Sequence, residues 1–269
     1  MTSVTEDQLN LYLSLFRGRT DVFAKRWEKG EKSGYAPAYQ FDWSEFNAHR
    51  SRGGTMATFD HKTVLSLTPD VVKKHLIGRD VIGIYPLLEN NTSYFIAADF
   101  DGADAFAEAV RLIEVCTEVG LPAYLERSHS GNGAHVWLFF EEAYSAVRSR
   151  MIVLECIRHA LNLSEFDKEV AFDRLFPNQD TQSGKGLGNL IALPLQGASV
   201  VLGNAVFCDA KTLQPFTDQW QFLEGIRRIP SKTLDEVFAR LSRNNDSVVG
   251  APNDKLTLQI ESGIRIRKA

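Results

Sequence analysis

Residues 94–104 read YFIAADFDGAD, and the fold turns on how this stretch is understood. An apolar run of strand length ends in two aspartates, Asp99 and Asp101, just before the turn signal Gly102. Alternate residues of a strand share a face, so the two carboxylates stand on one side of a sheet, about 6 to 7 Å apart. A surface D-x-D pair after a strand is common. Here the apolar flanks and the strand-end position bring a site level with that reading.

Working outward, Phe106, Val110, Ile113 and Thr117 recur at helical spacing, and Gly120 with Leu121-Pro122 ends the helix. AYLERS (123–128) and AHVWLFF (134–140) read as two strands joined by the turn HSGNG. Residues 143–161 read as a second helix and KEVAFDRLF (168–176) as a further strand. The order from Tyr94 is therefore β-α-β-β-α-β, the split βαβ unit of ferredoxin-like and RNA-recognition-motif folds. In such a sheet the first strand lies between the third and the fourth, with both helices on one face. Alternation then gathers Asp99, Asp101, His135 and Asp173 on the other face.

VIGIYPLL (81–88) and SYFIAADFD (93–101), joined by ENNT, suggest a hairpin, as does SVVLGNAVFCD (199–209) turning at Gly203-Asn204. LIALPLQ (190–196) reads as a strand, and helices are expected near 219–228 and 231–242. We expect an α+β protein: residues 1–80 as a more helical N-terminal subdomain, 81–245 as the core, and 246–269 as a linker or tail.

Composition bounds the function. Hydrophobic residues at 44% and charged residues at 24% suit a soluble chain of 269 residues, and no apolar run nears the ~18 to 20 residues of a membrane span. The N-terminus has no basic region preceding an apolar one, so a cytoplasmic protein without a membrane partner is expected. Cys116, Cys156 and Cys208 are isolated and show no C-x-x-C spacing, which argues against disulfides and structural zinc. A net charge of −4 argues weakly against nucleic acid, but residues 16–34 hold six Lys or Arg against three acids and residues 49–79 six against two. Arg17, Arg19, Lys25 and Arg26 are thus candidates for nucleic-acid binding, against the bland alternative of a solvated surface.

Paired aspartates without cysteine suit hard cations, Mg²⁺ or Mn²⁺, in a two-metal site for phosphoryl transfer. Asp173 is the third carboxylate, with Asp167 and Asp180 flanking it. Ser130, Gly131 and Asn132 in the turn, and His135 after it, can meet an anion through backbone N–H groups, a hydroxyl and an imidazole. Lys185, within GKGLGN, and Asn189 are further nucleotide-binding candidates, although the loop lacks the spacing of a P-loop.

Asp99-Phe100-Asp101, SGNGAHVW and the AFD ending in Asp173 resemble the three ordered motifs of the archaeo-eukaryotic primase superfamily of primase-polymerases. LFRGRTDVFAKRW, GYAPAY, FDRLFPNQD and GLGNLIALPLQG are similar to its branch in TOTE conflict systems and CRISPR-associated primase-polymerases. The second motif is often S-x-H, and Gly133 stands here in place of that serine. The resemblance implies a primase-polymerase fold and template-directed joining of nucleoside triphosphates to a 3′-hydroxyl. Its partners would be a single-stranded DNA or RNA template, a primer, and helicase or conflict-system proteins. It implies either a standalone protein or an excised domain. Two other readings compete: a non-catalytic RNA-recognition-like module, which would show aromatics on the open face, and a two-metal nuclease, which leaves the turn before His135 without a purpose.

Overall fold

The computed structural model describes residues 4–30, 32–162, 171–182 and 186–246. Helix α1 (Glu6–Leu15) starts at a capping box in which Thr5 and Gln8 satisfy each other's backbone N–H groups. Then come β1 (Ala24–Lys29), β2 (Lys32–Pro37), β3 (Tyr39–Phe41), α2 (Trp43–Ser51), β4 (Lys62–Val64), α3 (Pro69–Leu76) and β5 (Ile82–Ile84). The core follows as β6 (Thr92–Phe100), α4 (Ala105–Glu118), β7 (Tyr124–Arg127), β8 (Ala134–Ser145), α5 (Ala146–Ala160) and β9 (Phe172–Phe176). β10 (Ile191–Ala192), α6 (Gly197–Val201), β11 (Val206–Cys208), α7 (Gln219–Glu224) and α8 (Ser231–Asp246) complete the order. Among the described residues no helix is long and apolar enough to cross a membrane.

The core sheet runs β11-β7-β8-β6-β9, antiparallel throughout, so β6 lies between β8 and β9 as the βαββαβ order requires. Helices α4 and α5 pack together against this sheet. Their buried residues include Ala109, Leu112 and Cys116 on α4 and Ile152, Val153 and Cys156 on α5. The other face is not open along its length. Phe95, Trp137 and Phe139 on it are essentially fully buried, and Phe16, just after α1, meets Trp137 at 5.3 Å and Phe139 at 5.5 Å between ring centroids. Beyond this cover, Asp99 and Asp173 are half-buried and Asp101 is exposed.

A second sheet, β10-β5-β1-β2, takes strands from both sides of the core in sequence. The two expected hairpins are therefore corrected. β5 pairs with β1 and β10 while β6 pairs with β8 and β9, because Leu88 to Thr92 form a tight turn that passes the chain from one sheet to the other. In the second case Gln196 caps Ser199 and makes residues 197–201 a short helix, leaving only β11 as a strand.

One carbonyl ties these layers together. Pro194 O accepts from Tyr12 Oη at 2.6 Å and from His75 Nε2 at 3.0 Å, while His75 Nδ1 accepts the backbone N–H of Ile82 at 3.3 Å. His75 is fully buried, which holds its pKa down at about 4 against the helping pull of the Pro194 carbonyl. It is therefore neutral in the folded protein.

The sign of its pH effect follows. An unfolded chain takes up the proton near pH 6.5 and the folded chain only near 4, so this stability is complete above pH 6.5 and lost as pH falls towards 4. The full loss is about 3 kcal/mol. Urea unfolding of wild type and His75→Gln between pH 7.5 and 4.5 should show a steeper acid decline for wild type; parallel curves would refute the assignment.

Candidate active site

Asp99, the penultimate residue of β6, is paired with His135 of β8 on one side and Arg174 of β9 on the other. Asp101 follows at the end of β6, and its N–H donates to Ala171 O at 2.7 Å. Ala171 N–H and Phe172 N–H in turn donate to the buried carboxylate of Glu108 on α4, at 2.9 and 3.2 Å. The start of β9 is thus held from both sides.

Asp173 reaches the site through a bulge. Asp99 is opposite Arg174 but Phe100 is opposite Phe172, so Asp173 is the extra residue. Strict alternation from Asp173 would carry Leu175 to the site face, whereas Leu175 pairs with Ala98 on the helix side. The bulge lets Asp173 and the strand beyond it both find their proper surroundings. Ligand oxygens of Asp99, Asp101 and Asp173 all lie within 4.8 Å of one another. Arg174 forms an ion pair with Asp173.

Three carboxylates this close repel, and the effect is visible at Asp101. Burial first, then Asp99 and Asp173, push its pKa up, only partly offset by His135 and Arg174. A cluster of hard oxygen donors strained by its own charge fits a divalent cation of the Mg²⁺ or Mn²⁺ type.

His135 is clamped between two carboxylates. Its Nε2 lies 3.3 Å from Asp99 Oδ1 and its Nδ1 2.8 Å from Glu126 Oε2. Both ring nitrogens face acceptors, so both carry protons. Burial opposes the charged ring, but Glu126 and Asp99 outweigh it and hold the pKa well above the usual histidine value. Glu126 is only 1% exposed and also accepts from Trp137 Nε1 at 2.6 Å. Sequence reasoning passed over Glu126. The signal was present: in a hairpin closed by HSGNG, the lone acid of an apolar strand falls directly opposite His135.

The turn before His135 explains the unusual glycine. A Cβ on Gly133 would lie 2.7 Å from Asp101 Oδ1 and 2.8 Å from Phe100 O, so no side chain fits. The hydroxyl near this point comes from Ser128, whose Oγ accepts Gly133 N–H at 3.1 Å and lies 3.1 Å from Ser130 Oγ. Ser128 is a second residue that sequence reasoning missed. Ser130 Oγ also accepts Asn132 N–H at 3.3 Å, and Gly131 adopts φ +81°. A side chain at Gly131 would also meet the Asn204 amide.

The remaining described candidates make other contacts. Asn189 braces the chain, its side chain accepting from Asn178 N–H at 3.1 Å and donating to Leu175 O at 3.3 Å. Lys185 and Asp167 lie outside the described residues, and Asp180 is tied to Arg150. Arg17 donates to Tyr94 Oη at 2.7 Å and covers its ring. Arg19 pairs with Asp21, Lys25 with Asp80 and Arg26 with Glu28. None of these contacts involves the carboxylate cluster.

A family model described as "TOTE conflict system, Archaeo-Eukaryotic Primase domain" matches residues 7–237. No curated protein matches the chain. Among solved structures, the chain is similar to the polymerase domain from Mycobacterium tuberculosis ligase D in complex with DNA. The identity is 16%, the match covers 88% of this chain and 87% of that one, and the TM-score is 0.42.

Removing Glu126 should be felt as stability. Glu126→Ala strands the Trp137 N–H and one His135 N–H in the core and should cost about 3 kcal/mol in urea unfolding. Glu126→Gln keeps an accepting oxygen and should lose less. An alanine variant as stable as wild type would mean that the clamp holds nothing.

Proposed function

The chain belongs to the TOTE conflict system archaeo-eukaryotic primase family, which makes it a primase-polymerase-type nucleotidyltransferase, and from that premise we propose template-directed synthesis at the carboxylate cluster. One observation carries this reading: Asp99, Asp101 and Asp173 converge within 4.8 Å beside a buried, protonated His135. Asp99, Asp101 and Asp173 would hold Mg²⁺ or Mn²⁺. Such ions, when bound, lower the pKa of a 3′-hydroxyl and offset negative charge at the α-phosphate. Arg174 pairs with Asp173 at the edge of the cluster.

His135 has a proton on each nitrogen, and Nε2 can turn from Asp99 to a triphosphate oxygen while Nδ1 remains anchored to Glu126. The turn of Ser130, Gly131 and Asn132 supplies backbone N–H groups and a hydroxyl for the same triphosphate. Lys185 remains a further proposed contact. Asn189 is better suited to positioning the chain beside β9. The strand copied is a single-stranded DNA or RNA template, with or without a primer, and conflict-system helicases are the proposed partners.

The non-catalytic module is disfavoured by a particular observation. The aromatic residues of that sheet face, Phe95, Trp137 and Phe139, are buried and cannot stack on bases.

The direct test incubates the protein with a single-stranded template, labelled nucleotides and Mn²⁺ or Mg²⁺, with and without a primer. Template-dependent products are expected; their absence under all of these conditions would overturn the reading. Asp99→Ala and Asp101→Ala should each abolish incorporation.

Stability should move the other way. Without metal, Asp101→Asn should melt at or above the wild-type temperature, because a charge strained by its neighbours has been removed. Added Mn²⁺ should raise the wild-type midpoint and leave Asp99→Ala unmoved. A thermal shift of equal size in both proteins would place the ion elsewhere.

A further inference from the structure

Strand alternation sorts the basic N-terminal ribbon into two unlike faces. On one face Arg26 is fully engaged: its Nε reaches Glu28 at 3.1 Å, its terminal nitrogen reaches Ser33 at 2.9 Å, and its guanidinium lies 5.9 Å from the Tyr35 ring centroid. The other face carries Lys25, Trp27 and Lys29 on β1, opposite Ala36, Gly34 and Lys32 on β2. Lys25 reaches Asp80 at 3.2 Å. Lys29 and Lys32 make no ion pair among the described residues.

Trp27 is the centre of that second face. A Cβ on Gly34 would stand only 3.0 Å from Trp27 Cζ2 and 3.2 Å from Cε2, so the indole lies against the β2 backbone in space that any side chain would occupy. Glycine weakens a strand interior and often marks a close approach. Here the approach is that of a large aromatic ring which nevertheless stays 44% exposed. Lys25 and Lys29 flank it at two-residue steps, about 6 to 7 Å along the strand.

An exposed ring among cations is the pairing that holds a single strand, with bases stacking on the ring and phosphates meeting the amines. We propose that this face, Trp27 laid on Gly34 among Lys25, Lys29 and Lys32, is a stacking platform for single-stranded nucleic acid. It deepens the template-directed reading, on which it rests for the strand being a template. The charge favours nucleic acid over a protein partner: Lys29 and Lys32 face each other beside Trp27 with Lys25 two residues before it, and of the apolar residues opposite this stretch Ala36 is small and Ile82 on β5 is fully buried. The platform also assigns the basic stretch a different working set from the arginines, which are engaged elsewhere.

The test is anisotropy of a labelled single-stranded oligonucleotide titrated with the full chain at several salt concentrations. Trp27→Ala should weaken binding between about fivefold and a hundredfold, and Trp27→Phe much less. Lys29→Ala should reduce the salt slope by about 0.7. Gly34→Val keeps the tryptophan but displaces its ring and should mimic Trp27→Ala; should it unfold, the comparison of Trp27→Ala with Trp27→Phe decides alone. Oligonucleotide binding by folded Trp27→Ala equal to wild type overturns the platform, and is the result expected if a protein docks there instead. The two readings separate cleanly. Trp27-dependent binding without nucleotide incorporation supports the platform and removes the polymerase reading, whereas incorporation without Trp27 dependence removes the platform alone.

Discussion

A carboxylate buried as deeply as Glu126 must be neutralised, and the means of neutralising it organises the site. The side chain accepts from His135 Nδ1 and from Trp137 Nε1, two residues on one face of the neighbouring strand. An isolated charge in such surroundings would cost several kcal/mol, so the imidazole is kept protonated to balance it. The same ring then has its second N–H directed at Asp99. A buried interaction on β7 thereby sets the charge that faces the carboxylates on β6. Trp137, in contact with Phe95 and Phe16, ties the clamp to the aromatic packing under α1.

That packing explains why the site occupies only one end of the sheet. A four-stranded βαββαβ sheet covered by helices on one side leaves its other side to water unless another element covers it. Here Phe16 and its neighbours cover most of it, and the Pro194 carbonyl binds α1, α3 and the start of β5 into one layer through Tyr12 and His75. Asp99, Asp101 and Asp173 emerge beyond this cover, half-buried or exposed. Excluding water from one end while exposing the other leaves the carboxylates in partial burial, where their mutual repulsion is strong and a cation is welcome.

The βαββαβ order, the position of β6 in the sheet and the face shared by Asp99, Asp101 and His135 were all legible in the sequence, because each depends on local periodicity and on turn residues. The family was legible from the three ordered motifs. The hairpin closed by HSGNG was legible as well, but those expected over 81–101 and 199–209 were not: a turn signal shows that the chain reverses, but not which sheet receives the next strand. At residues 88–92 the chain changes sheets, and at 199–201 a capping glutamine turns a β-branched run into a helix. The role of Gly133 was hidden too, since only the assembled site shows the Asp101 carboxylate occupying the space of its missing side chain.

What the sequence determined alone is therefore the local pattern: which residues alternate, where helices stop, and which carboxylates share a strand. Tertiary structure decided the rest because it depends on register between distant segments. The bulge at Asp173 arises from pairing β9 with β6, and the second sheet joins strands separated by more than a hundred residues. The divided character of the basic ribbon likewise appears only when β1 and β2 are aligned, setting Gly34 opposite Trp27 and leaving Arg26 on the reverse face. Charge composition counts such residues together. Pairing separates them, since hydrogen bonding across the ribbon fixes which side each one faces.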